Sequence, residues 1–440
     1  MNPIPLFSLS EFFIVLFYLL LLLFFVNRTL KKYPLNQGNT VFWGAWVFKV
    51  SFAGFFSVVY LYVLGGGDIN AYWESAQSLN ALFSSDPIAY LQEIWETKRA
   101  LGISYHFNYE THYPPGWIWR EKEAWNAAKL ISVFSILTLH SFWATTLLIS
   151  SLVFMLSWRL VYFLVQVEKF NARMVFIAFL FFPSVAFWCS GISKDSLVYM
   201  LVLTLIYLMF RVLKWNVKRS VIEVVLILFC VYLLFQLRHF LAFAILAPFI
   251  IALATRFSNR LNPRPLLLFF FRITLYVSSA FLLYYVSNSE QTQQLIFEAN
   301  VTQSDFSQNP IYTGAKYTIE NTDGSVLGLL TIFPQATFIG LYRPFITDNI
   351  GFSFLLNGLE STLLLVLSAI FLFNTQLLKT VRNLFRNEFA LFSLTFILIV
   401  GFMAGYTSVL FGVLVRIRSI ALPFLLLVIT FRAPKENLES

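Results

Sequence analysis

The sequence predicts an all-α, polytopic integral membrane protein, and three features predict it. Its 440 residues are 58% hydrophobic and 12% charged, with 51 phenylalanines. Apolar runs recur at lengths of about 20 residues, enough to cross roughly 30 Å of hydrocarbon. Between them the basic residues gather in short loops, the pattern that fixes orientation in a membrane. A net charge of +9 can signal nucleic-acid binding in a soluble protein. Concentrated in short loops it serves topology instead, and no nucleic-acid partner is expected.

The basic loops are 28–32, 169–173, 211–219, 256–264, 379–386 and the tail with Arg432 and Lys435. Assigning all of them to the cytoplasm gives about eleven spans in one integral membrane domain covering 1–440. They lie near 9–26, 41–64, 140–166, 172–190, 196–212, 221–237, 240–255, 265–286, 351–373, 389–407 and 409–430. The N-terminus is then outside and the C-terminus cytoplasmic. The first apolar run follows Glu11 rather than a basic region and precedes no small-residue cleavage site, so it reads as a retained helix.

Two long segments, 65–139 and 287–350, remain for the outer face. The first carries the acids Asp68, Glu74, Asp86, Glu93, Glu96, Glu110, Glu121 and Glu123 against the bases Lys98, Arg99, Arg120 and Lys122. Within it, 70–83 has apolar and aromatic residues near helical spacing and predicts a short helix lying along the membrane surface. The stretch 124–139 predicts a second, leading into the third span. In the other loop, 326–345 is apolar; as a full span it would move 379–386 outside, so a re-entrant or interfacial helix is the economical reading. No internal repeat is evident.

Five sets of polar residues close or open apolar runs: Asp68, Lys194 with Asp195, Arg238 with His239, Arg343, and Arg416 with Arg418. This topology puts all five on the outer side. A carboxylate facing fixed cations at a lipid–water boundary suits an enzyme that handles a lipid-linked phosphate, since cations stabilise the phosphate and a carboxylate takes a proton. Gly65-Gly66-Gly67 permits a sharp turn that leaves Asp68 at the boundary, where it can act as general base. A glycine helix cap with Asp68 capping the next helix gives the same pattern. Lys194 and Asp195 occupy a short turn between apolar helices, fitting either phosphate contact or capping with a snorkelling lysine. Arg238 needs an acceptor, a carboxylate such as Asp68 or a ligand phosphate; His239 fits an interfacial histidine or a proton carrier. Arg343 either returns toward a shared site on a re-entrant helix or anchors to headgroups. Arg416 and Arg418 point about 200° apart on a helix, so they have different partners. Lys49 and Glu360, inside spans, are assigned to helix packing.

At these residues the chain resembles a family. Gly67-Asp68 with Tyr72, at the exit of an early span and followed by a surface helix, resembles the first outer loop of GT-C-type glycosyltransferases. Those are membrane enzymes that use polyprenyl-phosphate-linked sugars. The resemblance implies that Asp68 is the catalytic base or positions the acceptor. His112-Tyr113-Pro114-Pro115 is similar to a Pro-Pro element later in that loop. The usual second acid beside the first Asp is missing, with Glu74 the nearest substitute. The 183–195 string and the Arg416-Ile417-Arg418 element also resemble O-antigen-polymerase-like proteins, which implies that Arg416 contacts the lipid phosphate.

The expectation is therefore a glycosyltransferase of the bacterial inner membrane, moving a sugar or glycan from a polyprenyl phosphate or diphosphate to an acceptor at the outer face. Asp68 is its base, and Lys194, Arg238, Arg343 and Arg416 bind the carrier phosphate. Tyr72, Glu74, His112, Asp195, His239 and Arg418 support them. An O-antigen-polymerase-like or ligase-like enzyme and a lipid-substrate transporter or flippase are the alternatives. Membrane lipids are the other partner. Only Cys189 and Cys230 are present, with no metal-ligand spacing or cofactor motif. No cofactor is expected, and a divalent metal is not supported.

Overall fold

The computed structural model describes residues 8–35, 38–95, 105–214, 221–260, 290–310, 314–319, 326–348 and 355–431. Among the described residues all regular elements are helical, and seven helices are long and apolar enough to cross a membrane, or up to eight if one bent pair counts as a span. Backbone polar groups satisfied within each segment are what hydrocarbon demands of such a chain. The chain divides into two compact units, Met1–Phe243 and Ala244–Ser440.

In the first unit, α1 (Leu9–Lys32), α2 (Asn39–Val58, continued by a π-helical turn Val59–Val63), α7 (Phe142–Gln166) and α10 (Lys194–Lys214) are membrane-length helices. Packing gathers on α7, which touches α1, α2 and α10 and carries the fully buried Trp158. The Ser141 hydroxyl caps the first turn of α7 and donates to the buried Glu11 carboxylate at 3.0 Å, so an α1 acid sits at the positive end of the α7 dipole.

Between α2 and α7 lie α3 (Asp68–Ser85), α4 (Pro87–Trp95), α5 (Gly116–Arg120) and α6 (Lys122–Leu137). The helices expected at 70–83 and 124–139 are α3 and α6. The apolar face of α3, however, is covered by protein: Ala76 and Leu79 are fully buried, and α3 packs on α6. A polar seam fixes that contact, with Asn80 bonded to Ser132 (2.7 Å), Ser135 (2.9 Å) and His140 (3.0 Å). Buried amides are stable only when satisfied in this way.

Three stretches account for the difference from eleven spans. The 172–190 run is divided into α8 (Ala172–Leu180) and α9 (Pro183–Trp188), each too short to cross alone; Pro183 lacks the N–H that would continue α8. Lys49 donates to the carbonyls of Val185 (3.0 Å) and Cys189 (2.8 Å) at the end of α9, a helix-packing role. The stretch α11 (Val221–Arg260) is two helices joined at a kink at Arg238 (φ −163°, ψ 82°), the point that divides the expected spans 221–237 and 240–255, and it counts as one long apolar stretch. The run 265–286 lies outside the described residues, as do Glu96, Lys98, Arg99, Arg432 and Lys435.

The second unit contains α12 (Glu290–Gln308), α13 (Val326–Tyr342), α14 (Leu355–Leu372), α15 (Leu377–Arg386), α16 (Glu388–Thr407), α17 (Phe411–Ser419) and α18 (Leu422–Ile429). Its organising contact is α13 on α16. A Cβ added at Gly340 would lie 1.8 Å from the Gly401 carbonyl oxygen, and one at Gly405 would lie 1.8 Å from that of Ala336. Ala336-x-x-x-Gly340 thus faces Gly401-x-x-x-Gly405, the small-residue spacing that lets two helix backbones touch. Because residue 336 pairs with 405 and 340 with 401, the helices run antiparallel. The α17–α18 pair bends by 65°, with Pro423 opening α18.

Candidate functional site

In the first unit three helix ends meet. Lys194 and Asp195 open α10, Glu121 and Glu123 flank the start of α6, and Arg238 with His239 forms the break in α11. Glu123 is the hub: its Oε1 lies 3.1 Å from His239 Nδ1 and its Oε2 accepts from Lys194 Nζ at 3.1 Å. Glu121 adds a longer contact to Lys194, 3.5 Å. Behind this pair, Arg238 meets Asp195 at 2.9 Å, with side-chain exposures of 9% and 1%.

Local structure explains the convergence. Extended backbone at Arg238 interrupts the α11 hydrogen-bond ladder, and Asn126 of α6 donates to the Gln236 carbonyl at 3.2 Å beside the break. Acids in the first turns of α6 and α10 sit at positive dipole ends. Burial pushes the Glu123 carboxyl up, but the His239 hydrogen bond and the charges of Lys194 and Arg238 outweigh it and hold the group at about 2. Glu123 is therefore a fixed anion rather than a proton carrier. Its bond to Nδ1 orients the imidazole and directs Nε2 away, as in carboxylate–histidine dyads. His239 is the more open of the two, 35% exposed at the side chain.

The cluster unites Lys194, Asp195, Arg238 and His239. Arg238 takes Asp195 as its carboxylate partner. Asp68 begins α3 half-buried, after Gly65, Gly66 and Gly67 at φ +67°, +116° and +116°, the last two in a conformation that favours glycine. The ion pairs that join Lys194, Arg238 and His239 run through Asp195, Glu121 and Glu123. Tyr72 is buried on α3, Glu74 is half-buried there, and His112 is exposed.

In the second unit Arg418 is fully buried. Its guanidinium donates to the carbonyls of Leu341 (3.3 Å) and Arg343, at the C-terminus of α13, and to Ser361 Oγ of α14 at 2.7 Å. A cation on the orphan carbonyls of a helix end is favoured by both hydrogen bonding and the dipole. Arg416, two residues earlier, is half-buried. Of the two, Arg418 is the enclosed one, because the α13 terminus arrives on its side of α17. Arg343 makes a two-point contact with Asp348 (2.6 and 3.0 Å) and lies over the rings of Tyr317 and Phe411. Burial raises the Asp348 carboxyl, but the Arg343 bonds and the Phe345 N–H lower it further.

Sequence reasoning missed Glu121 and Glu123 as site residues. Their only signal was an acidic pair at the start of a predicted helix, more than seventy positions before Lys194. Among the described residues, no group of three or more His, Cys, Asp or Glu side chains could hold a metal ion. No protein-family model, no curated protein and no solved structure matches this chain.

Proposed function

We propose that this protein is an integral membrane transferase acting on a lipid-linked phosphate substrate, with the Glu123–His239–Lys194 cluster as its reaction centre. The carrying observation is that one carboxylate holds both an imidazole and an ammonium group where three helix ends meet. In this reading His239 Nε2 takes the proton of an acceptor hydroxyl, and Lys194 stabilises the departing phosphate. Arg238, neutralised by Asp195, supports the break that presents His239. Asp68, the base implied by the GT-C resemblance, becomes an acceptor-positioning group. A sugar or glycan on a polyprenyl carrier is the substrate class, and the outer face of a bacterial inner membrane the location.

The second unit supports a re-entrant α13. Leu341, next to the end of α13, packs on Gly401, so the helix overlaps only the C-terminal half of α16. Its terminus is met there by Arg418.

Membranes carrying the wild-type chain, supplied with polyprenyl-phosphate-linked radiolabelled sugar, test the reading. Transfer should fall at least a hundredfold in His239→Gln and Lys194→Ala, and the His239→Gln loss should appear in kcat. Transfer retained in both variants would sink it. The broken α17–α18 pair with its buried arginine favours a second reading, a transporter. That reading predicts movement of the lipid-linked substrate across proteoliposomes with no new glycosidic product.

A further inference from the structure

Helix α15 carries a feature the proposed reaction does not use. At 100° per residue, Lys379, Arg382 and Arg386 fall within an arc of about 60°. Leu377, Val381 and Leu384 lie on the opposite side, and Leu384 is buried where α15 packs on α16. Between the two sectors stand Leu378 and Phe385, 87% and 53% exposed. No acid occurs from Phe373 through Asn387. The order around the helix is therefore protein contact, exposed apolar flank, then cations.

Chain position fixes the level of this helix. It follows α14 and precedes α16, both of membrane-spanning length, so it lies where two apolar helices end. Leu372 and Phe373, just before it, are also exposed. A helix at that plane with an apolar flank beside a basic ridge suits an interface: the flank enters the acyl boundary and the ridge meets headgroup phosphates.

We propose that α15 is a binding surface for anionic glycerophospholipid headgroups, with Lys379, Arg382 and Arg386 as phosphate contacts and Leu378 and Phe385 as apolar anchors. Exposed cations at a headgroup surface each favour anionic lipid about fivefold, so three favour it on the order of a hundredfold. Point charges suffice for this attraction, so lysine should replace arginine here.

The test uses the full-length protein in mild detergent, titrated with phosphatidylglycerol or phosphatidylcholine and read by native mass spectrometry. Wild type should retain phosphatidylglycerol preferentially, with the preference shrinking between about 0.05 and 0.5 M salt. K379Q/R382Q/R386Q should lose it, while R382K/R386K should keep it. Thermal unfolding of each variant in detergent separates lost binding from lost folding. For the case of a misfolded triple variant, Leu378→Cys carrying an environment-sensitive fluorophore, in phosphatidylglycerol nanodiscs, should be quenched by bilayer-embedded spin labels. Equal retention of both lipids by wild type, as expected if the cations serve an acidic protein instead, overturns the proposal. So does an unchanged preference in the folded triple variant, or a fluorophore in bulk water.

Discussion

Replacing Glu123 by Gln keeps the shape of the side chain and removes the anion that Lys194 and His239 share. The carboxyl is held at about 2 against an ordinary 4.5, which at about 1.4 kcal/mol per tenfold corresponds to on the order of 3 kcal/mol. That is an upper value, because 27% of the side chain meets solvent. A carboxyl held low in the fold stabilises it fully above the unfolded value near 4.5, and that contribution disappears as pH falls through about 2. Wild type should therefore lose stability between about pH 5 and pH 2, beyond the loss shared with other acids. Glu123→Gln should start lower at pH 7, since Lys194 is left with Glu121 at 3.5 Å, and should fall less over that interval. Unfolding followed by tryptophan fluorescence in detergent, at half-unit pH steps, measures both curves. If the two remain parallel from pH 7 to pH 2, the carboxylate is not anchoring the cluster and the reasoning fails.

Two further outcomes rest on the second unit. Gly405→Ala places a carbon 1.8 Å from the Ala336 oxygen, about 1.5 Å inside the closest comfortable C···O approach. It should cost about 1–3 kcal/mol and lower the temperature at which the protein leaves the monodisperse peak in heated size-exclusion runs. Gly44→Ala, where the added carbon meets nothing within 4 Å, is the matched control and should be neutral or stabilising; equal behaviour of the two contradicts the packing argument. Arg418→Ala strands the carbonyls of Leu341 and Arg343, costing about 1–3 kcal/mol for each acceptor left unsatisfied. Arg418→Lys should recover part of it, and indistinguishable melting of all three proteins would contradict the capping role.

Much of the helical framework was legible in the sequence, because lengths of apolar runs and the 3.6-residue period act locally. The starts of α3 and α6 came within two residues of the expected 70 and 124, and the opposed directions of Arg416 and Arg418 follow from helix geometry alone. What the sequence could not convey was partnership across distance. The pairing of Glu123 with His239 joins residues 116 positions apart, and nothing near either one signals the other. Nothing near Arg418 in the sequence marks it as the enclosed one of its pair, because its acceptors belong to the end of α13. The division of α11 at Arg238 was legible as two polar residues between apolar runs, but its kinked geometry was not, since such a pair looks alike whether the chain turns back or bends.

The contact of Ala336 and Gly340 with Gly401 and Gly405 also bears on how this half of the molecule can move. Main chains in direct touch exclude any intervening acyl tail or side chain, so α13 and α16 should travel as one strut. Among the described residues of Ala244–Ser440, the 65° elbow ahead of Pro423 is then a joint separate from that strut. There Arg418, gripping the tip of α13, would convert a swing of α17 into a pull on the strut.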